Sequence, residues 1–222
     1  MANVILLYSK IQEANHNLLL ETYLSIFPKI FQEKIVRYHR WQDAQLSLLG
    51  RLLVKEGLNH FNQKVNFEEL LFTEYNKPYF KNATVQFNIS HSDEFVVAVF
   101  TEKYDDIGVD VEKEHSFKMS DFKNQMTPYE IDKIYNSDRP LQEFYKYWTQ
   151  KEAVLKAIGS GLSIPLKSFE IKNNKTSIEG KTFYLSEIAF ENEYICHIAQ
   201  NQKVDSKEII VKKVCAKTFI EN

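Results

Sequence analysis

Cysteine and glycine are both scarce in this 222-residue chain. Two cysteines, Cys196 and Cys215, are too few for a disulfide framework and are not spaced as a zinc site. They read as reduced, structural thiols of a cytoplasmic protein. The six glycines compare with about 15 at average usage, so each one is worth locating. A phosphate-cradling glycine loop is absent, as are a G-x-S-x-G elbow and an H-E-x-x-H pair. Long apolar runs are missing too. The longest, Val4 to Tyr8 and Phe95 to Phe100, are too short to span a bilayer. No basic segment precedes the first, so no secretory signal is expected. Neither sign of charge dominates: 28 basic against 30 acidic residues leave a net charge of −2, which argues against a general nucleic-acid binder. What is present, 44% hydrophobic and 26% charged residues, is the composition of a soluble globular protein.

Along the chain, helical and strand patterns come in two alternating blocks. Val4 to Tyr8 reads as a strand, and Glu13 to Ile26 as a helix stopped near Pro28. Lys29 to Lys55 reads as helix throughout, with Leu46, Leu49, Leu53 and Leu58 at helical spacing. Leu70 to Tyr75, Val85 to Ile89, Phe95 to Phe100 and Ile107 to Glu112 follow as strands. A second helical block begins at Pro128 and includes Arg139 to Ile158, stopped by Gly159 and Gly161 with Pro165 beyond. Strands then return at Phe169 to Ile171, Thr182 to Phe190, Tyr194 to Ala199 and Glu208 to Val214. The order predicts an α+β protein of two similar-sized halves, 1–104 and 105–222, joined near Tyr104 to Ile107. No residue-level repeat relates the halves.

Charge is uneven within this plan. Between Lys29 and Lys55 lie Lys34, Arg37, Arg40 and Arg51, against only Glu33 and Asp43. A basic helical face of this kind is a solvated surface, a phosphate reader or a docking surface for an acidic partner, and sequence leaves the three open.

Four short elements carry candidate chemistry. In Ile107-Gly108-Val109-Asp110-Val111-Glu112, strand alternation puts Asp110 and Glu112 on one face and the aliphatic residues on the other. Two oxygen donors side by side suit a hard ion such as Mg²⁺. A solvated polar face explains the spacing equally well. On the long second-half helix, Trp148, Glu152 and Lys156 share a face at i, i+4 and i+8. An exposed ion pair accounts for the last two, although their aromatic neighbours argue for partial burial. His91 stands at a strand end among Asn88, Ser90 and Ser92, groups suited to phosphate or ribose, or is a structural histidine. Lys77-Pro78 forms an extended turn with a lysine that can meet an anion.

In this order, the elements resemble the Sfp-type 4′-phosphopantetheinyl transferases. The resemblance rests on Lys77-Pro78, Asn88-Ile89-Ser90-His91-Ser92, Gly108-Val109-Asp110-Val111-Glu112, and Trp148-Thr149-Gln150-Lys151-Glu152-Ala153 with Lys156, Gly159, Gly161 and Leu162. It covers Lys77 to Leu162, and the chain length suits the family's longer, monomeric branch. Asn76 stands where many members have glycine, and asparagine tolerates the same turn.

The resemblance implies a pseudo-dimer of two similar α+β halves with the active site between them. It implies an enzyme that moves the phosphopantetheine arm of coenzyme A onto a serine of an acidic acyl or peptidyl carrier protein and releases adenosine 3′,5′-bisphosphate. Asp110, Glu112 and Glu152 would hold Mg²⁺, or Mn²⁺, and Asp110, Glu152 and Lys156 would form the catalytic set. Lys151 and Lys156 would neutralise phosphate charge, His91 with Lys34 and Ser47 would read the 3′-phosphate, and Lys77 with Ser90 would line the nucleotide site. Neither a nucleic acid nor a membrane partner is implied. Two other classes remain in view: a non-catalytic coenzyme A or carrier-protein binding module, and a metal-dependent phosphohydrolase built on the same carboxylates.

Overall fold

The computed structural model describes the chain except residues 1–3, 103–105, 119–121, 123, 190, 216–217 and 220–222, and the side chains of 162 and 206. The expected joint at 104/105 and the side chain of Leu162 therefore lie outside the described residues.

The first half runs β1 (Val4–Lys10), α1 (His16–Tyr23), α2 (Lys29–Val36), α3 (Trp41–His60), β2 (Leu70–Phe72), β3 (Pro78–Phe80), β4 (Gln86–Ser92) and β5 (Phe95–Thr101). The second runs β6 (Ile107–Lys113), α4 (Pro128–Tyr135), α5 (Pro140–Ile158), β7 (Lys175–Ile178), β8 (Lys181–Ile188), β9 (Tyr194–Gln200) and β10 (Ile209–Lys213). The two sheets have strand orders β10-β1-β5-β4 and β6-β9-β8-β7, with β2-β3 a separate ribbon.

Both halves follow one course. An opening strand (β1, β6) leads into helices ending in a long one (α3, α5). A hairpin then returns (β4-β5, β8-β9), and its last strand lies antiparallel beside the opening strand. This is the architecture expected of a pseudo-dimer, although no residue-level repeat encodes it. β10 closes the circuit, leaving the second half to pair in parallel with β1.

Strand alternation explains the layering. Ile5, Leu7, Val96, Ala98 and Phe100 face α3, while Val4, Leu6, Val97 and Val99 share a core with Ile107, Val109, Val111, Cys196 and Ile198 of the other sheet. On the far side, Val154, Leu155 and Ala157 of α5 pack with Phe183, Leu185 and Ala199. The result is helix, sheet, sheet, helix. Gly108 lets α5 sit directly on β6, since a Cβ there would lie 2.1 Å from the Ala153 carbonyl oxygen. Gly159, with φ of +78°, ends α5 in the left-handed cap its neighbours could adopt only with strain.

Several elements depart from expectation. The helix expected over Lys29 to Lys55 breaks between α2 and α3, where Arg40 is extended. Phe31, Ile35, Leu46, Leu49 and Leu53 stay in helical phase across the break, so periodicity gives no sign of it. Phe169 to Ile171 forms no strand. The Ile171 N–H instead donates to Glu130 Oε1 at 2.9 Å, which takes its ladder bond. β3 and β7 were not anticipated. Cys196 is buried as a structural thiol should be, whereas Cys215 is exposed.

Candidate active site at the junction of the halves

β4 and β6 are edge strands of different sheets, and the site is built where they meet. An outer strand edge carries N–H groups that no ladder satisfies. Along β6 these are met by side chains of β4. Val109 N–H donates to Asn88 Oδ1 at 3.0 Å, Val111 N–H to Ser90 Oγ at 3.5 Å and Lys113 N–H to Ser92 Oγ at 3.1 Å. The alternating polar residues read as phosphate or ribose donors thus form a side-chain ladder joining the two halves.

That ladder delivers the carboxylates. Asp110, 2% exposed, accepts from Ser90 Oγ at 2.9 Å and from Lys156 Nζ at 2.5 Å, both on Oδ1. Its Oδ2 is buried without a hydrogen-bond partner. Glu112 accepts from Ser92 Oγ at 2.8 Å. Lys156 Nζ also donates to Ser90 Oγ at 2.8 Å. Burial pushes Asp110 above the usual carboxylate range, with Lys156 and then the Ser90 hydrogen bond pulling it back. Glu112 is raised by burial and by Asp110, and Glu152 by burial, Asp110 and Glu112, with Lys156 opposing in both. Three carboxylates therefore crowd one lysine.

This donor set fits a hard divalent cation: the ligands are all oxygen, one lysine offsets only part of the repulsion among three carboxylates, and the buried Asp110 Oδ2 lacks a hydrogen-bond partner. Among the described residues, no three His, Cys, Asp or Glu side chains are already gathered as a metal cage. An open arrangement suits an ion that completes its shell with water and substrate phosphate.

A cavity of about 230 Å³ opens beside the carboxylates, lined by Tyr75, Asn76, Pro78, Glu152, Lys156 and Gly161 among others. Lys77 reaches it, but its ammonium donates to the Ala157 carbonyl at 2.8 Å and to that of Ile107 at 3.3 Å. Burial pulls Lys77 down to about 8, opposed by Asp106. Asn76 borders a second cavity of about 300 Å³ that holds Lys34 and Arg51 among Phe27, Phe31 and Phe72. There the Arg51 guanidinium lies 5.1 Å from the Phe31 ring and 5.7 Å from that of Phe72.

The other expected residues are placed as follows. His91 projects from the α3 side of β4, with the α3-facing Phe87 and Ile89. Partial burial and then Lys156 hold its imidazole below the ordinary value, while Asp43 and Asp110 raise it. Ser47 lies one turn beyond Asp43 on α3. Lys151 is a correction. Its side chain is wholly buried, bonded to Glu130 Oε2 at 2.9 Å and to the carbonyls of Leu166 and Phe169 at 2.8 and 2.6 Å. All three ammonium donors are engaged inside the protein, so Lys151 does not meet a phosphate. From sequence, Ser92 was read as a phosphate or ribose group and not as the partner of Glu112, and Arg51 only as part of a basic helical face. The strict alternation of Asn88, Ser90 and Ser92 was a visible signal for the first, whereas Arg51 was one of many basic helix residues.

Comparison with known proteins agrees with this geometry. Residues 106–204 match the 4′-phosphopantetheinyl transferase superfamily, and residues 15–103 match a family described as 4′-phosphopantetheinyl transferase, N-terminal. The first match contains β6 and the second β4, the two strands that meet at the site. The chain is 37% identical to the 4′-phosphopantetheinyl transferase gsp of Aneurinibacillus migulanus, over 65% of this chain and 61% of that protein. It is 31% identical to the 4′-phosphopantetheinyl transferase Sfp of Bacillus subtilis (strain 168), over 72% and 73%. It is also 31% identical to the 4′-phosphopantetheinyl transferase pptA of Paxillus involutus, over 68% and 66%. With paired carboxylates on β6, a glutamate and a lysine on α5, and both halves matched, the chain belongs to the 4′-phosphopantetheinyl transferase superfamily and is a transferase of the Sfp type.

Proposed function

We propose that this protein transfers the 4′-phosphopantetheine arm of coenzyme A to a serine of an apo acyl or peptidyl carrier protein, with release of adenosine 3′,5′-bisphosphate. The observation that carries the reading is the cluster of Asp110, Glu112, Glu152 and Lys156, of which Glu152 and Lys156 line a cavity between the halves. A binding module has no need of three mutually repelling carboxylates, one with a buried, unpartnered oxygen.

The serine hydroxyl attacks the β-phosphorus of the pyrophosphate, and negative charge grows on the departing bisphosphate. Phosphoryl transfer depends mainly on positioning and on stabilising such charge. Lys156, 30% exposed at its side chain, lines the cavity and supplies one cation. Asp110, Glu112 and Glu152 would hold Mg²⁺, which when bound neutralises pyrophosphate charge as a Lewis acid. Glu152 takes the serine proton, directly or through one water. His91, Ser47 and Lys34 read the 3′-phosphate, and Ser90 and Lys77 shape the nucleotide side of the cavity.

An acidic carrier is supported by the basic stretch from Lys29 to Lys55, whose field would speed encounter. The enzyme we propose acts as a monomer in the cytoplasm. Among the described residues no helix is long and apolar enough to cross a membrane.

The test is incubation with coenzyme A, Mg²⁺ and a panel of apo carriers, read by intact mass. We expect a carrier one phosphopantetheine heavier. Coenzyme A hydrolysis without carrier modification would support a phosphohydrolase instead, and no product at all would support a binding module.

A further inference from the structure

The two serines of β4 face the two carboxylates of β6 in the same way. Ser90 Oγ donates to Asp110 Oδ1 at 2.9 Å and accepts from Val111 N–H at 3.5 Å. Ser92 Oγ donates to Glu112 Oε2 at 2.8 Å and accepts from Lys113 N–H at 3.1 Å. A hydroxyl has one donor and two acceptor sites. Each serine accepts from the backbone of the opposing edge and directs its only proton to the carboxylate one residue earlier. Asn88, the third member of the ladder, accepts from Val109 N–H at 3.0 Å and makes no carboxylate contact among the described bonds.

We infer that Ser90 and Ser92 are positioning residues for the metal site, each fixing its carboxylate in the orientation that meets the cation. This rests on the metal reading proposed above. Asp110 carries the strongest sign of it: Oδ1 takes both Ser90 and Lys156, while Oδ2 is left buried and without a hydrogen-bond partner. Glu112 also has the Trp148 side chain as a hydrogen-bond partner. A free carboxylate samples several rotamers, so fixing it by a neighbouring hydrogen bond favours the bound geometry. Because the serines belong to one half and the carboxylates to the other, the joint and the metal site are one construction.

Ser92 is the better probe, because it is less buried than Ser90 and its loss disturbs the core less. Binding of Mn²⁺ to the full chain with saturating coenzyme A, and no carrier, is measured by the paramagnetic signal of the free ion. Melting temperature is recorded for each variant. We expect Ser92→Ala to weaken Mn²⁺ about 10- to 100-fold, with Ser92→Thr restoring most of it because the hydroxyl returns. Asn88→Ala is the control for the joint alone: a lower melting temperature with Mn²⁺ affinity within about twofold of wild type supports the division of labour. Wild-type Mn²⁺ affinity in Ser92→Ala would overturn the inference and leave the ladder as a joint only. An equal loss of affinity in Asn88→Ala would overturn it as well, because docking alone would then account for the effect. If the wild-type chain shows no saturable Mn²⁺ binding, the metal reading itself fails and this inference falls with it.

Discussion

Lys151 and Lys156 lie little more than one turn apart on α5, and each pairs with a carboxylate from another element. They differ in how completely the pair is closed. Lys151 and Glu130 are both 0% exposed. Glu130 also accepts from the N–H groups of Thr127 and Ile171, and the remaining lysine donors go to two carbonyls. Lys156 keeps 30% of its side chain exposed, while Asp110 is left with an unpartnered oxygen and two more carboxylates nearby. A closed pair holds a helix in place. An open one is prepared for a ligand, and the unsatisfied groups are where the site is.

The sharpest break of this comparison is Lys151→Ala. It leaves Glu130 charged and buried without its cation, so we expect about 3–5 kcal/mol lost in denaturant unfolding. Lys151→Met paired with Glu130→Gln should recover much of that, because no buried charge remains. A loss under about 1 kcal/mol for Lys151→Ala would remove the closed-pair argument.

The open pair should respond in activity. Asp110→Ala should abolish transfer, as should chelation, reversibly, with melting temperature held within a few degrees because the variant also relieves carboxylate repulsion. Full transfer in excess chelator would remove the metal assignment. Glu152→Gln should keep coenzyme A affinity within a few-fold and lose about 10²-fold or more in single-turnover transfer, the scale of a general base. Turnover at the wild-type rate would leave Glu152 outside the mechanism.

His91 marks the outer limit of the open region, where Lys156 and Asp43 both act on it. His91→Ala should weaken coenzyme A roughly 10- to 100-fold, the worth of a charge-assisted hydrogen bond of about 1.5–3 kcal/mol. Dephospho-coenzyme A should lose far less. Equal losses in competition binding would make the histidine structural.

The α5 comparison also shows what sequence could and could not display. Alternation placed Asp110 and Glu112 together on a strand face, and helical spacing placed Glu152 and Lys156 together, because both rules act within a few residues. Lys151 was misassigned because its environment is set by α4 and by the segment around Phe169, which no local pattern reports. The ladder residues were visible as an alternating polar run. Their partner strand was not, since the edge-to-edge meeting of β4 and β6 depends on how two sheets pack. The α2–α3 break failed for the opposite reason, its apolar positions remaining in phase across the interruption.

His197 sharpens the comparison from the closed side. It sits opposite Asp110 in the β6–β9 register, yet belongs to a satisfied network. Its Nδ1 lies 2.8 Å from Thr149 Oγ1 and its Nε2 3.4 Å from Gln150 Nε2. Thr149 Oγ1 also lies 2.8 Å from the Tyr145 carbonyl, to which it donates. Nδ1 therefore carries the proton, and Nε2 accepts from Gln150. Burial, with Lys146 adding to it, drives His197 down to about 3. The unfolded chain protonates near 6.5 while the folded chain resists, so this residue's contribution is full above about 6.5 and is lost as pH falls toward 3. The raised carboxylates act in the opposite sense, because the folded state binds their protons more tightly, and they mask part of the slope in the wild-type protein. The quantity to measure is therefore the difference in unfolding free energy between wild type and His197→Gln, which has no titrating group at that site. Between pH 7 and 5.5 we expect wild type to lose about 1 kcal/mol more than the variant. Parallel pH curves for the two proteins would mean that His197 accepts a proton in place, and that the network around it is as open as the one around Asp110.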